Sequence, residues 1–156
     1  GYKDNPAATK ETITDGGWYR TGDLGYIDDL GFLVMYDRIK DIIKVKGFQV
    51  SPVDLEEILA RHPLVDEAAV CGVWSESDSS DLPRAYVVLT DKAAEKPKAA
   101  ASISDFVSGQ VSTYKRLTGG VVFVDALPKN TSGKVLRRVL RTEKAKYEKG
   151  FVLAKL

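Results

Sequence analysis

The sequence predicts a small α+β domain, one small mixed sheet with helices packed on it. Three observations predict it: short β-type runs bounded by turn residues, two Ser-x-x-Asp helix openings, and an order of hairpins, helix, strand, strand, helix, strand, helix. No segment repeats another.

Residues 1–22 are polar and turn-rich, with Asp15-Gly16-Gly17 marking a tight turn before Trp18-Tyr19-Arg20. Leu24-Gly25-Tyr26-Ile27 and Phe32-Leu33-Val34-Met35-Tyr36, joined by Asp28-Asp29-Leu30-Gly31, read as a hairpin. A second hairpin runs along Asp41-Ile42-Ile43-Lys44-Val45, turns at Lys46-Gly47 and returns through Phe48-Gln49-Val50.

Ser51 then serves as an N-cap, Pro52 as the first helical residue, and Asp54 completes a capping box. Leu55, Ile58, Leu59 and His62 follow at helical spacing until Pro63. Strands are expected over 67–73 and 84–90, with an acidic, serine-rich loop over 76–81. A Lys/Ala/Pro linker is expected over 91–101. Ser102 with Asp105 repeats the capping signal and opens a helix through Phe106, Val107, Gln110 and Val111. A strand over 120–124 and a last helix over 134–149 complete the domain, with Trp74 and Phe123 assigned to the core.

At 156 residues the chain holds one ordinary domain, or one plus part of a neighbour. Apolar residues at 44% and charged residues at 29% fit a globular protein and argue against disorder. Lys plus Arg total 23 against 22 Asp plus Glu, so no nucleic-acid partner is expected and any phosphate-binding surface must be local. No apolar stretch approaches a membrane span and the first residues lack a signal-peptide pattern, so an intracellular location is expected. Cys71, the single cysteine, has no internal partner and reads as a small buried residue. The absence of an initiator Met before ordered-looking sequence suggests a piece of something larger.

Common catalytic patterns fail. The single histidine, His62, ends an amphipathic helix and reads as a packing or capping residue, and one His with one Cys makes no ordinary zinc site. Gly133-Lys134 resembles the end of a phosphate-binding loop, but Pro128 replaces its first glycine and Val135 its Ser/Thr. What remains is chemistry by placed charge, in two polar islands: Asp37 to Val50, and Leu127 to Arg138. Asp23, after Gly17-Trp18-Tyr19-Arg20-Thr21-Gly22, suits either two vicinal hydroxyls or its own turn backbone. Lys44, Lys46 and Lys134 each also have a plain reading as surface lysines.

Four blocks, taken in order, resemble the adenylate-forming enzymes, most closely the 4-coumarate:CoA ligase and luciferase branch of the acyl- and aryl-CoA synthetases. They are Gly1-Tyr2 with Asn5-Pro6 and Ala8-Thr9, Gly17 to Asp23, Asp37 to Glu56, and Leu127 to Arg141. The resemblance implies an ATP-dependent acid–thiol ligase, with a luciferase-like or carrier-protein-linked adenylating enzyme as the alternative. Such an enzyme uses ATP, Mg2+ and CoA on a small-molecule carboxylic acid, forming an acyl-adenylate and then a thioester.

It further implies that residues 1–36 are the all-β end of a large N-terminal domain, 37–41 a hinge and 42–156 a mobile lid. The lid's partner would be the N-terminal domain, so this chain alone should be inactive. By the same resemblance Asp23 and Arg38 bind the ribose of ATP and AMP, and Lys40 lies at the pivot and touches the adenylate. Lys134 is the catalytic lysine of adenylation and also binds ATP; Lys44 is catalytic in thiol transfer and faces the adenylate; Lys46 and Gly47 line the CoA path. Lys134 is expected in the first turn of the last helix, near its positive dipole end. Arg137, Arg138 and Arg141 form a solvated helix face or help hold the lid closed. Where the family often has Gly-Glu, this chain has Ser80-Asp81, a loop change expected to leave lysine chemistry untouched. Ala154-Lys155-Leu156 resembles a peroxisomal address, or is a chance ending.

Overall fold

In the computed structural model, which describes residues 1–91 and 95–142, Asn5 and Pro6 open a helix in the stretch expected to be turns. Asn5 Oδ1 accepts the Ala8 N–H at 3.0 Å and Pro6 takes the first helical position of α1 (Pro6–Thr12). Cap side chain and fixed proline φ together satisfy the helix start. The first 36 residues are therefore not all-β. The chain divides into two compact units, Gly1–Lys40 and Asp41–Leu156.

In the first unit, β1 (Asp23–Ile27) and β2 (Leu33–Arg38) form the expected hairpin. Its turn is built on Asp28, whose carboxylate accepts the N–H groups of Leu30 at 3.0 Å and Phe32 at 2.8 Å. A bulge shifts the register between Leu24 and Gly25. A Cβ at Gly25 would lie 2.7 Å from the Val34 carbonyl, so only glycine fits this crossing.

The second unit begins with a ribbon of β3 (Ile43–Val45) and β4 (Phe48–Val50), turning at Lys46-Gly47. Helix α2 (Pro52–Leu59) follows, with Ser51 as N-cap. It ends three residues before His62, which sits in the turn leading to β5. Strands β5 (Val65–Ser75) and β6 (Ser80–Leu89) form a long antiparallel hairpin, and β7 (Val121–Phe123) pairs with β6 in parallel. The described strands thus make a three-stranded mixed sheet and two separate ribbons.

Helix α3 (Lys96–Ser108) corrects the expected linker. Pro97 occupies its first turn, and Ala99, Ala100, Ile103 and Val107 recur at helical spacing and are buried. Burial of that stripe decides the boundary: Ser102 is mid-helix, and Gln110 and Val111 lie beyond its end. A 3₁₀ turn, Thr113–Lys115, leads toward β7.

The last helix, α4 (Arg137–Thr142), starts later than expected because Val135 is bridged to Lys129. The remainder of the 134–149 segment, and Ala154-Lys155-Leu156, lie outside the described residues.

Both faces of the sheet are covered, which is why the second half of β6, Ala85 to Leu89, reads as a continuous apolar run. One face joins Val70, Ala85, Val87 and Val121 to Leu55, Leu59, Ile103 and Val107. The other joins Ala69, Cys71, Tyr86 and Val122 to Leu127 and Leu140. Cys71 is buried as expected, and so is Phe123. Trp74 is not in the core: it is 55% exposed, opposite Asp81 near the hairpin turn, where β5 has run past the packed helices.

Candidate functional site

In the first unit the ladder sets Asp23 directly across from Arg38, and their side chains pair, Arg38 Nε to Asp23 Oδ1 at 3.1 Å. Backbone bonds hold the pair's position. The Asp23 N–H donates to Thr21 Oγ1 at 3.1 Å, and the Ile39 N–H donates to the Gly22 carbonyl at 2.9 Å. Gly22 has φ +76°, the left-handed conformation a glycine adopts without strain. Both side chains remain partly open to solvent, a carboxylate and a guanidinium side by side and available to hydroxyls and phosphate. Lys40 is exposed as the last residue of this unit.

In the second unit Lys44, Lys46 and Gly47 share one ribbon. Lys44 projects to solvent between buried Ile43 and Val45, and its ammonium has no ion-pair partner among the described residues. Lys46 and Gly47 form the turn with φ +46° and +88°, the two-residue turn that matches hairpin twist. Lys46 Nζ lies 3.3 Å from Asp78 Oδ1. Hydrogen bonds from Ser75 and from Lys46 hold the Asp78 carboxyl below its ordinary value.

The ribbon is tied to β6 by Ser80 and Asp81. Ser80 Oγ accepts the Lys46 N–H at 2.7 Å and lies 3.2 Å from the Lys44 carbonyl, and Asp81 Oδ2 accepts the Lys44 N–H at 3.3 Å. This corrects the expectation of a loop change without effect on the lysines. Ser80 and Asp81 belong to a strand and touch both lysines' backbones. Sequence reasoning missed Asp78, Ser80 and Asp81 because their partners lie more than thirty residues away in sequence.

Lys134 ends a loop organised by Asn130. Asn130 Oδ1 accepts the N–H groups of Ser132 at 3.1 Å and Lys134 at 2.8 Å, and the Asn130 N–H donates to the Lys134 carbonyl at 3.0 Å. Gly133, at φ +81°, supplies the left-handed residue. The Lys134 side chain is exposed, with no ion-pair partner among the described residues. It precedes α4 by three residues, so the expected place in a helical first turn is wrong. The self-bonding habit of Asn was the signal for this loop.

The basic cluster after it is not a uniform solvated face. Arg137 grips Glu56, Arg141 pairs with Asp41, and only Arg138 of the three is exposed. His62 is buried: Nδ1 accepts the Leu64 N–H at 3.2 Å, Nε2 lies 3.2 Å from Ser102 Oγ, and its ring meets Phe106 edge-on. Its role is packing, as the sequence suggests. Among the described residues no three His, Cys, Asp or Glu side chains converge to hold a metal, and no helix is long and apolar enough to cross a membrane.

Residues 54–134 match the family described as the AMP-binding enzyme C-terminal domain. The chain is 47% identical over 141 residues to a 4-coumarate–CoA ligase-like protein of Arabidopsis thaliana, covering 90% of this chain and 25% of that protein. It is 46% identical over 143 residues to a luciferin 4-monooxygenase of Luciola mingrelica, covering 90% and 25% respectively. Among solved structures, ATP-bound MatB from Rhodopseudomonas palustris superposes with a TM-score of 0.79 at 37% identity, covering 94% of this chain and 28% of that one. The chain thus spans about a quarter of the length of these relatives.

Proposed function

The chain belongs to the adenylate-forming enzymes through its AMP-binding enzyme C-terminal domain, and on that premise we propose that it is the lid of an AMP-forming acyl- or aryl-CoA ligase. Residues 1–36 are then the end of the large domain, 37–41 the hinge and 42–156 the lid. The parent enzyme joins a carboxylic acid to ATP, releasing pyrophosphate, and CoA then displaces AMP to give a thioester. The luciferase relative, of almost equal identity, keeps a second reading open: the same adenylation followed by other chemistry.

The observation that carries the reading is Lys134, an ammonium without an ion-pair partner among the described residues, held out on a backbone-bonded loop. Attack of a carboxylate on the α-phosphate brings two anions together, and charge builds on the transferring oxygens. A positioned ammonium stabilises that charge, and removing one such donor typically costs about a hundredfold or more in rate. Asp23 accepts the ribose hydroxyls, while Arg38 steadies its carboxylate and contacts the same ribose and the phosphate side. Lys40 marks the pivot and contacts the adenylate.

Lys44 faces the adenylate during thiol attack, and Lys46 with Gly47 borders the thiol's path. Lys44 and Lys134 stand on separate segments of the lid, so one lid can serve both half-reactions with different edges. Mg2+, which neutralises nucleotide phosphates in such chemistry, has no ligand set among the described residues, and none of these steps is assigned to it. We propose further that Ala154-Lys155-Leu156, where it stands at a free carboxyl terminus, serves as a peroxisomal address, and a fluorescent fusion that stays outside peroxisomes makes it a chance sequence.

The test is pyrophosphate exchange and AMP release by the full-length enzyme. Carboxylate-dependent exchange that persists undiminished in Lys134→Ala refutes the enzymatic role of this lysine. AMP release that does not depend on CoA favours the second reading.

A further inference from the structure

Two strands of three residues make a ribbon that is marginal by itself. Lys46, moreover, sits at positive φ, which a lysine does not favour. Something outside the ribbon must hold it, and Ser80 does so from the first position of β6. Ser80 is 3% exposed, and its hydroxyl accepts the Lys46 N–H at 2.7 Å with the Lys44 carbonyl 3.2 Å away. A buried hydroxyl is costly unless bonded; this one accepts the Lys46 N–H, and its own proton has the Lys44 carbonyl at 3.2 Å and the Asp81 carbonyl at 3.1 Å within reach. Asp81 adds the third tie, to the Lys44 N–H.

We propose that Ser80 and Asp81 are positioning residues for the thioester-forming step. They hold the backbone of Lys44 and Lys46, so that both side chains leave the ribbon from fixed starting points. This rests on the reading above, in which Lys44 and Lys46 serve thiol attack. Lys134 stands on another loop and is not held by these bonds, so adenylation is outside the pair's reach.

The experiment separates the half-reactions in the full-length ligase by single turnover. Ser80→Ala should slow thioester formation from preformed acyl-adenylate by about tenfold, since small misplacements of reacting groups carry losses of that order. Pyrophosphate exchange should change less than about twofold, and Ser80→Thr, which keeps the hydroxyl, should restore most of the lost rate. Asp81→Ala, at a partly exposed position, should give the same split without burying a void. Amide exchange of the 44–48 segment should accelerate in Ser80→Ala while β7 stays protected.

Equal losses in both half-reactions, or an unchanged thioester step in both variants, overturn the proposal. Lys44→Ala distinguishes the causes. Normal thioester formation in Lys44→Ala sinks the underlying reading. A defect in Lys44→Ala with none in Ser80→Ala or Asp81→Ala sinks only the positioning role.

Discussion

Arg137 holds Glu56 with both ends of its guanidinium, Nε to Oε1 at 3.1 Å and a terminal nitrogen to Oε2 at 2.5 Å. Glu56 Oε1 also accepts the Val70 N–H at 2.7 Å, so one carboxylate joins α2, β5 and α4. Both side chains are less than a fifth exposed. Removing one partner of such a pair leaves a charge with little water, and Arg137→Ala should destabilise the unit by about 3 kcal/mol. Arg137→Lys should lose part of that, because an ammonium cannot make the forked contact. Denaturant unfolding of the full-length protein measures both, and an unchanged midpoint in Arg137→Ala refutes the assignment.

His62 makes stability depend on pH in a definite direction. Nδ1 accepts an N–H, so the folded ring is neutral with its proton on Nε2, and burial lowers its pKa. The unfolded chain binds the proton near the ordinary value of about 6.5. Below that pH the unfolded state holds more protons than the folded one. His62 therefore supports the fold fully above about pH 6.5 and loses that contribution as the pH falls toward and through its lowered value. Urea unfolding at pH 7.5 and 5.0 should show the drop, and His62→Gln should flatten it. A slope that His62→Gln leaves intact assigns the drop to other groups.

Asp23 and Arg38 should act as one unit toward ATP. Loss of a charge-assisted hydrogen bond costs about 1.5–3 kcal/mol, so Asp23→Ala should raise the KM for ATP by roughly tenfold or more. Arg38→Ala should do comparable damage, by freeing the carboxylate as well as by losing its own contacts. Because the two side chains touch, the double variant should fall well short of the product of the single effects. Multiplicative effects in ATP titrations would show that the ion pair is incidental to nucleotide binding.

How much of this was legible in the sequence follows from how local each signal is. The ribbon turn at Lys46-Gly47, the Ser51-Pro52 helix start and the buried run of β6 are short-range patterns, and all three are in the structure. Asn5-Pro6 carries the same kind of signal for α1, but the polar, turn-rich residues around it mask it. Helix α3 was placed too late because Ser102 and Asp105 copy a capping box, while Ala99 and Ala100 only count once the sheet they pack on exists. Trp74 shows the reverse error, since an aromatic in a strand is not thereby buried. The candidate lysines were visible as types in motifs. Their supports (Ser80, Asp81, Asp78, and Glu56 beneath Arg137) were not, because each contact closes a long loop that no spacing rule encodes.

Two variants at the tip of the ribbon separate charge from conformation. Lys46 at φ +46° and Gly47 at φ +88° both use left-handed backbone, and no atom lies within 4 Å of a Cβ built on Gly47. The constraint on Gly47 is therefore torsional, and Gly47→Ala should cost about 1–2 kcal/mol while leaving every charge in place. Lys46→Asn does the opposite: asparagine accepts this backbone readily and keeps the N–H that Ser80 receives, but it removes the ammonium. Its denaturation midpoint should stay close to that of the parent, since the ion pair it loses, to Asp78, is exposed and screened. In the thioester step Lys46→Asn should raise the KM for CoA with little change in kcat if, as proposed above, the side chain borders the thiol's path without joining the reaction. Gly47→Ala should instead lower kcat, because the strain reaches Lys44 through the short ladder. A lowered kcat with unchanged KM in Lys46→Asn would move this lysine from the path into the chemistry itself.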